Sequence, residues 1–159
     1  MDKDSKVPDR TDRRILAALQ ANARLTFSEL GRKVGLTPPA VRERVTRLEE
    51  AGWISGYHAE IPLEKLGLPI QAFLQLYTTP DQYPRVLAAV QKLPEVLECD
   101  HVTGEAAFVL KIAAASTARL EEVIAVLSPF GRTETAIVLS GQVRKATIRE
   151  EGTGSIGNE

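Results

Sequence analysis

Apolar residues in the first fifty positions recur at the spacing of α-helices and fall into three short stretches. The first stretch opens at Asp9 and Asp12, acidic residues that favour a helix N-terminus, and carries Ile15, Leu16 and Leu19 on one stripe. An apolar stripe of this kind is buried against neighbouring elements in a folded protein. The pattern therefore predicts an amphipathic helix that packs against the next two.

The second and third stretches carry start and stop signals. Thr26 and Glu29 form a capping box, and Gly35 ends the second helix because glycine readily adopts the left-handed conformation. Thr37 is a good N-cap and Pro38 suits the first helical position. The apolar faces comprise Phe27, Leu30 and Val34 in the second helix and Val41, Val45 and Leu48 in the third, which Gly52 closes. This layout predicts a helix-turn-helix, a motif whose last helix enters the DNA major groove.

From Trp53 onward the pattern indicates extended segments. Residues 53–61 read as a strand, and residues 62–69 as a connector with one helical turn at 63–66. The remainder predicts strands at 70–78, 96–103, 107–113 and 132–139, a helix from Asp81 to Lys92 and a helix from Thr117 to Leu127. The order β-α-β-β-α-β is the split arrangement of ferredoxin-like domains.

These elements predict an α+β chain of two domains. Residues 1–52 form a winged helix-turn-helix of three helices, and residues 53–69 are a hinge strand and linker. Residues 70–148 form the ferredoxin-like βαββαβ domain, and residues 149–159 are a disordered tail of small and polar residues.

The strands of the second domain read as apolar on both faces. Ala72, Leu74 and Leu76 alternate with Phe73 and Tyr77 along the first strand. Two helices cover only one face of such a sheet, so the other face would expose a large apolar patch. We expect the chain to form a two-fold dimer, which would place two recognition helices on a palindromic double-stranded DNA operator.

Composition sets limits on the class of protein. Hydrophobic residues make up 43% and charged residues 26% of 159 positions, which is typical of a folded globular chain. Residues 1–60 hold 11 Lys and Arg against 9 Asp and Glu, whereas residues 61–159 hold 9 against 12. This weak asymmetry permits phosphate contacts at the N-terminal end. The absence of an apolar N-terminal core and a single cysteine, Cys99, favour the cytoplasm, and no membrane segment is expected.

The third helix presents a polar surface opposite its apolar stripe. A helical projection places Ala40 at the edge of that surface and Arg42 and Arg44 on its two flanks. The surface itself comprises Pro39, Glu43, Thr46, Arg47 and Glu50. Small residues at the start of a helix let it sink into a groove, and arginines neutralise phosphates. The candidate DNA-binding residues are Lys33, Thr37, Pro39, Ala40, Arg42, Glu43, Arg44, Thr46 and Arg47. The alternative is a solvated helix face with ordinary surface charges.

Residues 9–61, DRTDRRILAALQANARLTFSELGRKVGLTPPAVRERVTRLEEAGWISGYHAEI, resemble the Lrp/AsnC family of feast/famine regulators. The shared features are Asp12 before Ile15-Leu16, then Arg24, Leu30, Val34-Gly35-Leu36, Arg44-Val45, Arg47-Leu48-Glu49, Gly52, Ile54, Gly56-Tyr57 and Ala59. Lys65-Leu66-Gly67 matches the family linker, and Leu93-Pro94, Val96, Val102-Thr103-Gly104 and residues 133–139 match its sensor domain. The resemblance covers roughly residues 9–145 and is most specific in the N-terminal half.

The resemblance implies a sequence-specific transcription regulator and not an enzyme. It implies a homo-oligomer, a dimer that assembles to an octamer, and a small effector such as an amino acid bound at the seams between dimers. The implied effector residues are Thr103, Gly104, Glu105, Ala107, Thr133 and Thr135. Ala107 stands where the family commonly has Asp, which leaves Glu105 as the nearby acid and the effector open. Gly104 in a plain turn and threonines of ordinary strand preference are the alternatives.

Other chemistries have little support in the sequence. His58 and His101 lie in different predicted domains without acidic or cysteine partners at metal-ligand spacing, so neither a metal site nor a cofactor is expected. Some proteins that resemble this family decarboxylate a modified tetrapyrrole. Such an enzyme would need converging basic groups, for which His101 and Lys111 are the candidates. A ligand-binding oligomerisation module without DNA binding is a further alternative.

Overall fold

The computed structural model describes residues 7–141 and divides them into two compact units between Ala59 and Glu60. This division falls inside the predicted linker, residues 53–69. The predicted tail, residues 149–159, and the end of the predicted second domain, residues 142–148, lie outside the described residues. Among the described helices, none combines the length and the apolar character that crossing a membrane requires.

The N-terminal unit is the predicted set of three helices. Its elements are α1 (Arg10–Ala21), α2 (Phe27–Val34) and α3 (Pro38–Glu50). The core consists of Ile15, Leu19, Leu30, Val34, Val41, Val45 and Leu48. These are the predicted apolar faces, with two differences: Leu16 is only half-buried against this core, and Phe27 is 37% exposed and does not belong to it. Phe27 is the first residue of α2, and the buried residues of that helix begin only at Leu30.

Side-chain caps fix the helix ends. The Thr26–Glu29 capping box is confirmed, and a second box joins Asp9 and Asp12 at the start of α1. Thr37 occupies the predicted N-cap position of α3, but its side chain makes no capping hydrogen bond. The two residues that follow are prolines and have no backbone N–H to donate. Gly35 ends α2 at φ +76°, as predicted.

The segment after α3 differs from the prediction in one respect. Residues 53–62 are assigned to no strand in the described chain, although a hinge strand is predicted there. A strand is stabilised by hydrogen bonds to a neighbouring strand. The pattern of apolar residues within one segment does not show whether such a neighbour is present. The predicted helical turn is present as a 3₁₀ turn at Leu63–Leu66. The Tyr57 hydroxyl donates to Glu49 at 2.7 Å, and burial together with this carboxylate raises the pKa of Tyr57 to about 12.

The C-terminal unit has the predicted ferredoxin-like topology. In the described residues its elements are β1 (Ile70–Tyr77), α4 (Tyr83–Val90), β2 (Val96–His101), β3 (Phe108–Ala114), α5 (Thr117–Leu127) and β4 (Arg132–Ile137). The four strands are antiparallel and run in the order β2-β3-β1-β4. The helix predicted from Asp81 begins only at Tyr83, because residues 80–82 form a separate 3₁₀ turn. The strands predicted to end at residues 103 and 139 end two residues earlier, at His101 and Ile137.

The two faces of the sheet differ in chemistry. One face packs against α4 and α5 and buries Ala72, Leu74, Leu76, Phe108, Leu110, Ile112 and Ala114. The other, here called the open face, carries the opposite residues of the strands. It combines Phe73, 47% exposed, with the Lys111–Glu98 ion pair at 2.8 Å. The prediction of two apolar faces is therefore wrong for the open face, where charged side chains alternate with apolar ones.

Candidate nucleic-acid interface

A shallow groove of about 710 Å³ runs along the outer surface of α2 and α3. Its walls are Phe27, Pro38, Pro39, Arg42, Glu43, Thr46, Arg47 and Glu50. Five of the predicted DNA-binding residues line it: Pro39, Arg42, Glu43, Thr46 and Arg47. The helix phase of α3 explains this grouping, because Val41, Val45 and Leu48 anchor the opposite side in the core.

The groove has an apolar end that the sequence analysis missed. Phe27 lies there beside Pro38 and Pro39, and the guanidinium of Arg42 lies 5.8 Å from the centre of the Phe27 ring. This distance is within the range of a cation–π attraction. The sequence feature that could have indicated this apolar end is an aromatic residue at the first position of α2, ahead of the buried residues of that helix.

The start of α1 holds two carboxylates against α3. Asp12 is buried, and the NH1 nitrogen of Arg44 lies 2.7 Å from it and 2.6 Å from Asp9. The NH2 nitrogen of Arg47 lies 3.1 Å from Asp12. The Arg44 hydrogen bond lowers the pKa of the Asp9 carboxyl, and the two carboxylates raise the pKa of Arg44. The sequence predicts that both arginines bind DNA and that Asp12 marks a helix start, but it does not predict that these side chains meet.

The remaining predicted DNA-binding residues lie around the turn between α2 and α3. Lys33 and Thr37 are exposed, and Ala40 is half-buried at the side of the groove. The carbonyl of Gly31 accepts hydrogen bonds from the backbone N–H groups of Gly35 and Leu36, at 2.8 and 3.0 Å. These bonds set the path of the turn, and thus where α3 begins.

Four of the six predicted effector residues lie in or beside the turn between β2 and β3, at one end of the sheet. Thr103, Gly104 and Glu105 are exposed in the turn between β2 and β3, where Gly104 has φ +117°. Glycine adopts such a positive φ without steric cost. Ala107 is buried, and its N–H donates to the Leu76 carbonyl at 2.9 Å.

The two predicted threonines lie across β1 from that turn. Thr133 pairs with Leu76 and Thr135 with Leu74 on the edge strand β4. Leu76 of β1 pairs with Phe108, at the start of β3, on one side and with Thr133 of β4 on the other side. The structure thus brings Thr133 to the same end of the sheet as the turn, with one strand between them.

The candidate enzyme residues do not converge. His101 pairs with Phe108 on the helix-covered side of the sheet, where its ring packs at 5.0 Å from that of Tyr83. Lys111 lies on the open face with Glu98. A sheet separates the two basic groups, so they cannot act on one substrate atom within a single copy of the chain.

Two family models match the chain. Residues 9–49 match the AsnC-type helix-turn-helix domain, and residues 71–148 match the Lrp/AsnC ligand binding domain. Within the residues that the structure describes, the first match falls on the N-terminal unit and the second on the C-terminal unit.

Relatives and solved structures agree with the family models. The HTH-type transcriptional regulator LrpC of Bacillus subtilis is 37% identical over 132 residues, which cover 83% of this chain and 92% of LrpC. The LrpC structure superposes with a TM-score of 0.82, covering 88% of this chain and 99% of that one. The structure of a Neisseria meningitidis regulator in complex with L-methionine superposes with a TM-score of 0.82 at 31% sequence identity. The superposition covers 90% of this chain and 97% of that one. A feast or famine regulatory protein of Mycobacterium tuberculosis in complex with L-methionine superposes with a TM-score of 0.81 at 32% sequence identity. The superposition covers 89% of this chain and 99% of that one.

Proposed function

The chain belongs to the Lrp/AsnC family of transcriptional regulators, and from that premise we propose that its α2–α3 groove is the surface that binds double-stranded DNA. The observation that carries this proposal is the groove itself. Small and apolar residues at the start of α3 allow close approach to the DNA, and polar and cationic side chains follow along the helix. Lys33, Thr37 and Ala40, near the turn, extend the proposed surface beyond the groove walls.

A binding titration at two salt concentrations tests this function. Each phosphate neutralised by a Lys or Arg releases counterions, so the affinity is expected to fall steeply between about 50 and about 200 mM salt. A loss of roughly 10³-fold or more would correspond to about six phosphate contacts. If the chain retains no duplex at the lower salt concentration, the proposal is wrong.

We further propose that copies of the chain pair through the open face of the sheet and that dimers assemble to an octamer. Phe73 is exposed on this face, and an uncovered sheet face is normally packed against another layer. The charged pairs Lys111–Glu98 and Arg132–Glu134 lie on the same face, which would add electrostatic specificity to the contact. Two-fold pairing would present two copies of α3 to a palindromic operator.

The effector is proposed to be an amino acid or a related small molecule that binds at the turn between β2 and β3. Two structural neighbours are complexes with L-methionine. In this chain Glu105 is the acidic side chain in the turn and would accept a hydrogen bond from an effector's ammonium group. Gly104, Thr103, Ala107, Thr133 and Thr135 complete the proposed site.

Thermal unfolding in the presence of each of the twenty amino acids tests the effector proposal. A ligand at about 100 times its Kd stabilises the native state by about 2.7 kcal/mol. At roughly 2–4 °C per kcal/mol, the midpoint should rise by roughly 5–10 °C. Glu105→Gln should abolish that rise while leaving the midpoint of the free protein unchanged. A screen in which no amino acid moves the midpoint would overturn the proposal.

We infer that the role is regulatory and not catalytic, and that the chain acts on DNA in the cytoplasm. The relatives are named as transcriptional regulators. The separation of His101 and Lys111 by the sheet adds a reason from this chain against the tetrapyrrole-modifying alternative. Conversion of an added tetrapyrrole, followed by visible absorbance, would instead support the enzyme.

A further inference from the structure

The three arginines of α3 have different partners. Arg44 is hydrogen-bonded to both Asp9 and Asp12, and its side chain is 27% exposed. Arg47 contacts Asp12 through one nitrogen, lines the groove and is 48% exposed. Among the residues that the structure describes, Arg42 forms no ion pair, and its guanidinium lies over the Phe27 ring in the groove.

The partners of Arg44 limit what it can do. Asp12 is 4% exposed, and one of its oxygens already accepts from the Asp9 backbone N–H at 3.2 Å. If Arg44 turned to a DNA phosphate, the buried Asp12 carboxylate would lose its shortest ion pair. Only the longer ion pair with Arg47, at 3.1 Å, would then remain, and weakening the pairing of a buried charge is unfavourable. Arg44 therefore holds the middle of α3 against the start of α1.

Arg42 has the opposite properties. It is exposed on α3, and the aromatic face of Phe27 restricts the positions its guanidinium adopts. A guanidinium that is already oriented loses less freedom on binding, and its planar fork fits phosphate oxygens. Pro38 and Pro39 beside it keep the approach to the groove free of long side chains.

Resting on the proposed DNA-binding function, we propose that Arg42, oriented by Phe27, is the α3 arginine that contacts a DNA phosphate, whereas Arg44 is a positioning residue that fixes α3 to α1. Arg47 has a contact of each kind, since it lines the groove beside Arg42 and also forms an ion pair with Asp12 beside Arg44. Phe27 enters the DNA-binding surface as the positioning residue for Arg42.

The test compares Arg42→Gln and Arg44→Gln in the full chain by thermal unfolding and by the salt dependence of DNA binding. Arg42→Gln should leave the unfolding midpoint unchanged and reduce the slope of log K against log salt by about 0.9, the loss of one phosphate contact. Arg44→Gln should lower the midpoint and keep the wild-type slope, measured at a temperature where it is folded. Arg44→Lys, which retains a cation beside Asp12, should restore most of the midpoint.

Phe27→Leu provides an independent check, because leucine keeps the apolar bulk and removes the ring. It should weaken DNA binding in the wild-type background and have no further effect in Arg42→Gln, as coupled residues do in a double-mutant cycle. Equal slopes for wild type and Arg42→Gln, or a reduced slope for Arg44→Gln, would overturn the assignment while leaving DNA binding intact. A wild-type chain that binds no DNA would overturn both the assignment and the proposed function.

Discussion

Val45→Asp is expected to unfold the N-terminal unit. Val45 is 3% exposed and lies in the core between Val41 and Leu48 on α3. Burying a carboxylate without a partner costs several kcal/mol, comparable to the roughly 5–15 kcal/mol that stabilises a whole domain. The helical circular dichroism of this unit and DNA binding should be lost together, while the C-terminal unit retains its own core.

Thr46→Asp is the matched control for that substitution. Thr46 is the next residue on the same helix, but it is exposed and lines the groove. The same new charge should therefore leave helicity and the unfolding midpoint near wild type, and it should weaken DNA binding through repulsion of phosphates. A soluble Val45→Asp protein with wild-type helicity would show that α3 is not packed as described.

Gly31→Ala is expected to destabilise the N-terminal unit, although the same change inside a helix normally stabilises it by about 1 kcal/mol. A Cβ atom at Gly31 would clash with the carbonyl oxygen of Leu36. That oxygen belongs to the backbone of the turn before α3, so relief requires the turn to move. Overpacking of this kind costs about 1–3 kcal/mol. DNA affinity should fall as well, because α3 starts from the displaced turn.

Ser28→Ala is the control for Gly31→Ala, since Ser28 is an exposed residue of the same helix. It should leave the unfolding midpoint and the DNA affinity close to wild type. The two variants are compared by thermal unfolding and by titration with one DNA fragment. A Gly31→Ala protein as stable as wild type would mean that the turn between α2 and α3 has room for a methyl group.

Much of the fold is predictable because its signals are local. Gly35 ends α2 as its conformational freedom predicts, and the helix Thr117–Leu127 has the predicted bounds. The order of elements in the C-terminal unit follows from alternating patterns of period two and period 3.6. The segment 53–61 is less predictable, because a strand is defined by its neighbour and not by its own residues.

The candidate site is less predictable from the sequence, because its side chains are sorted by contacts over long distances along the chain. Helical phase places Arg42, Arg44 and Arg47 near the polar side of α3, but it does not reveal that Asp12, 32 residues before Arg44, binds two of them. From the sequence, Phe27 could belong to the apolar core stripe of α2 or to the wall of a surface groove. Only the packing of the helices shows that it lies in the groove wall. The open face is similar, because its Lys111–Glu98 ion pair joins residues of two different strands.

A footprint on DNA selected by the full chain from a random-sequence pool tests the central claim most directly. A two-fold assembly that reads DNA through α3 should protect two related half-sites, about 10 base pairs apart centre to centre or at a multiple of that spacing, with contacts in the major groove. The Val45→Asp protein should give no protection on the same DNA. A pool from which no sequence is enriched above non-specific binding would contradict the account.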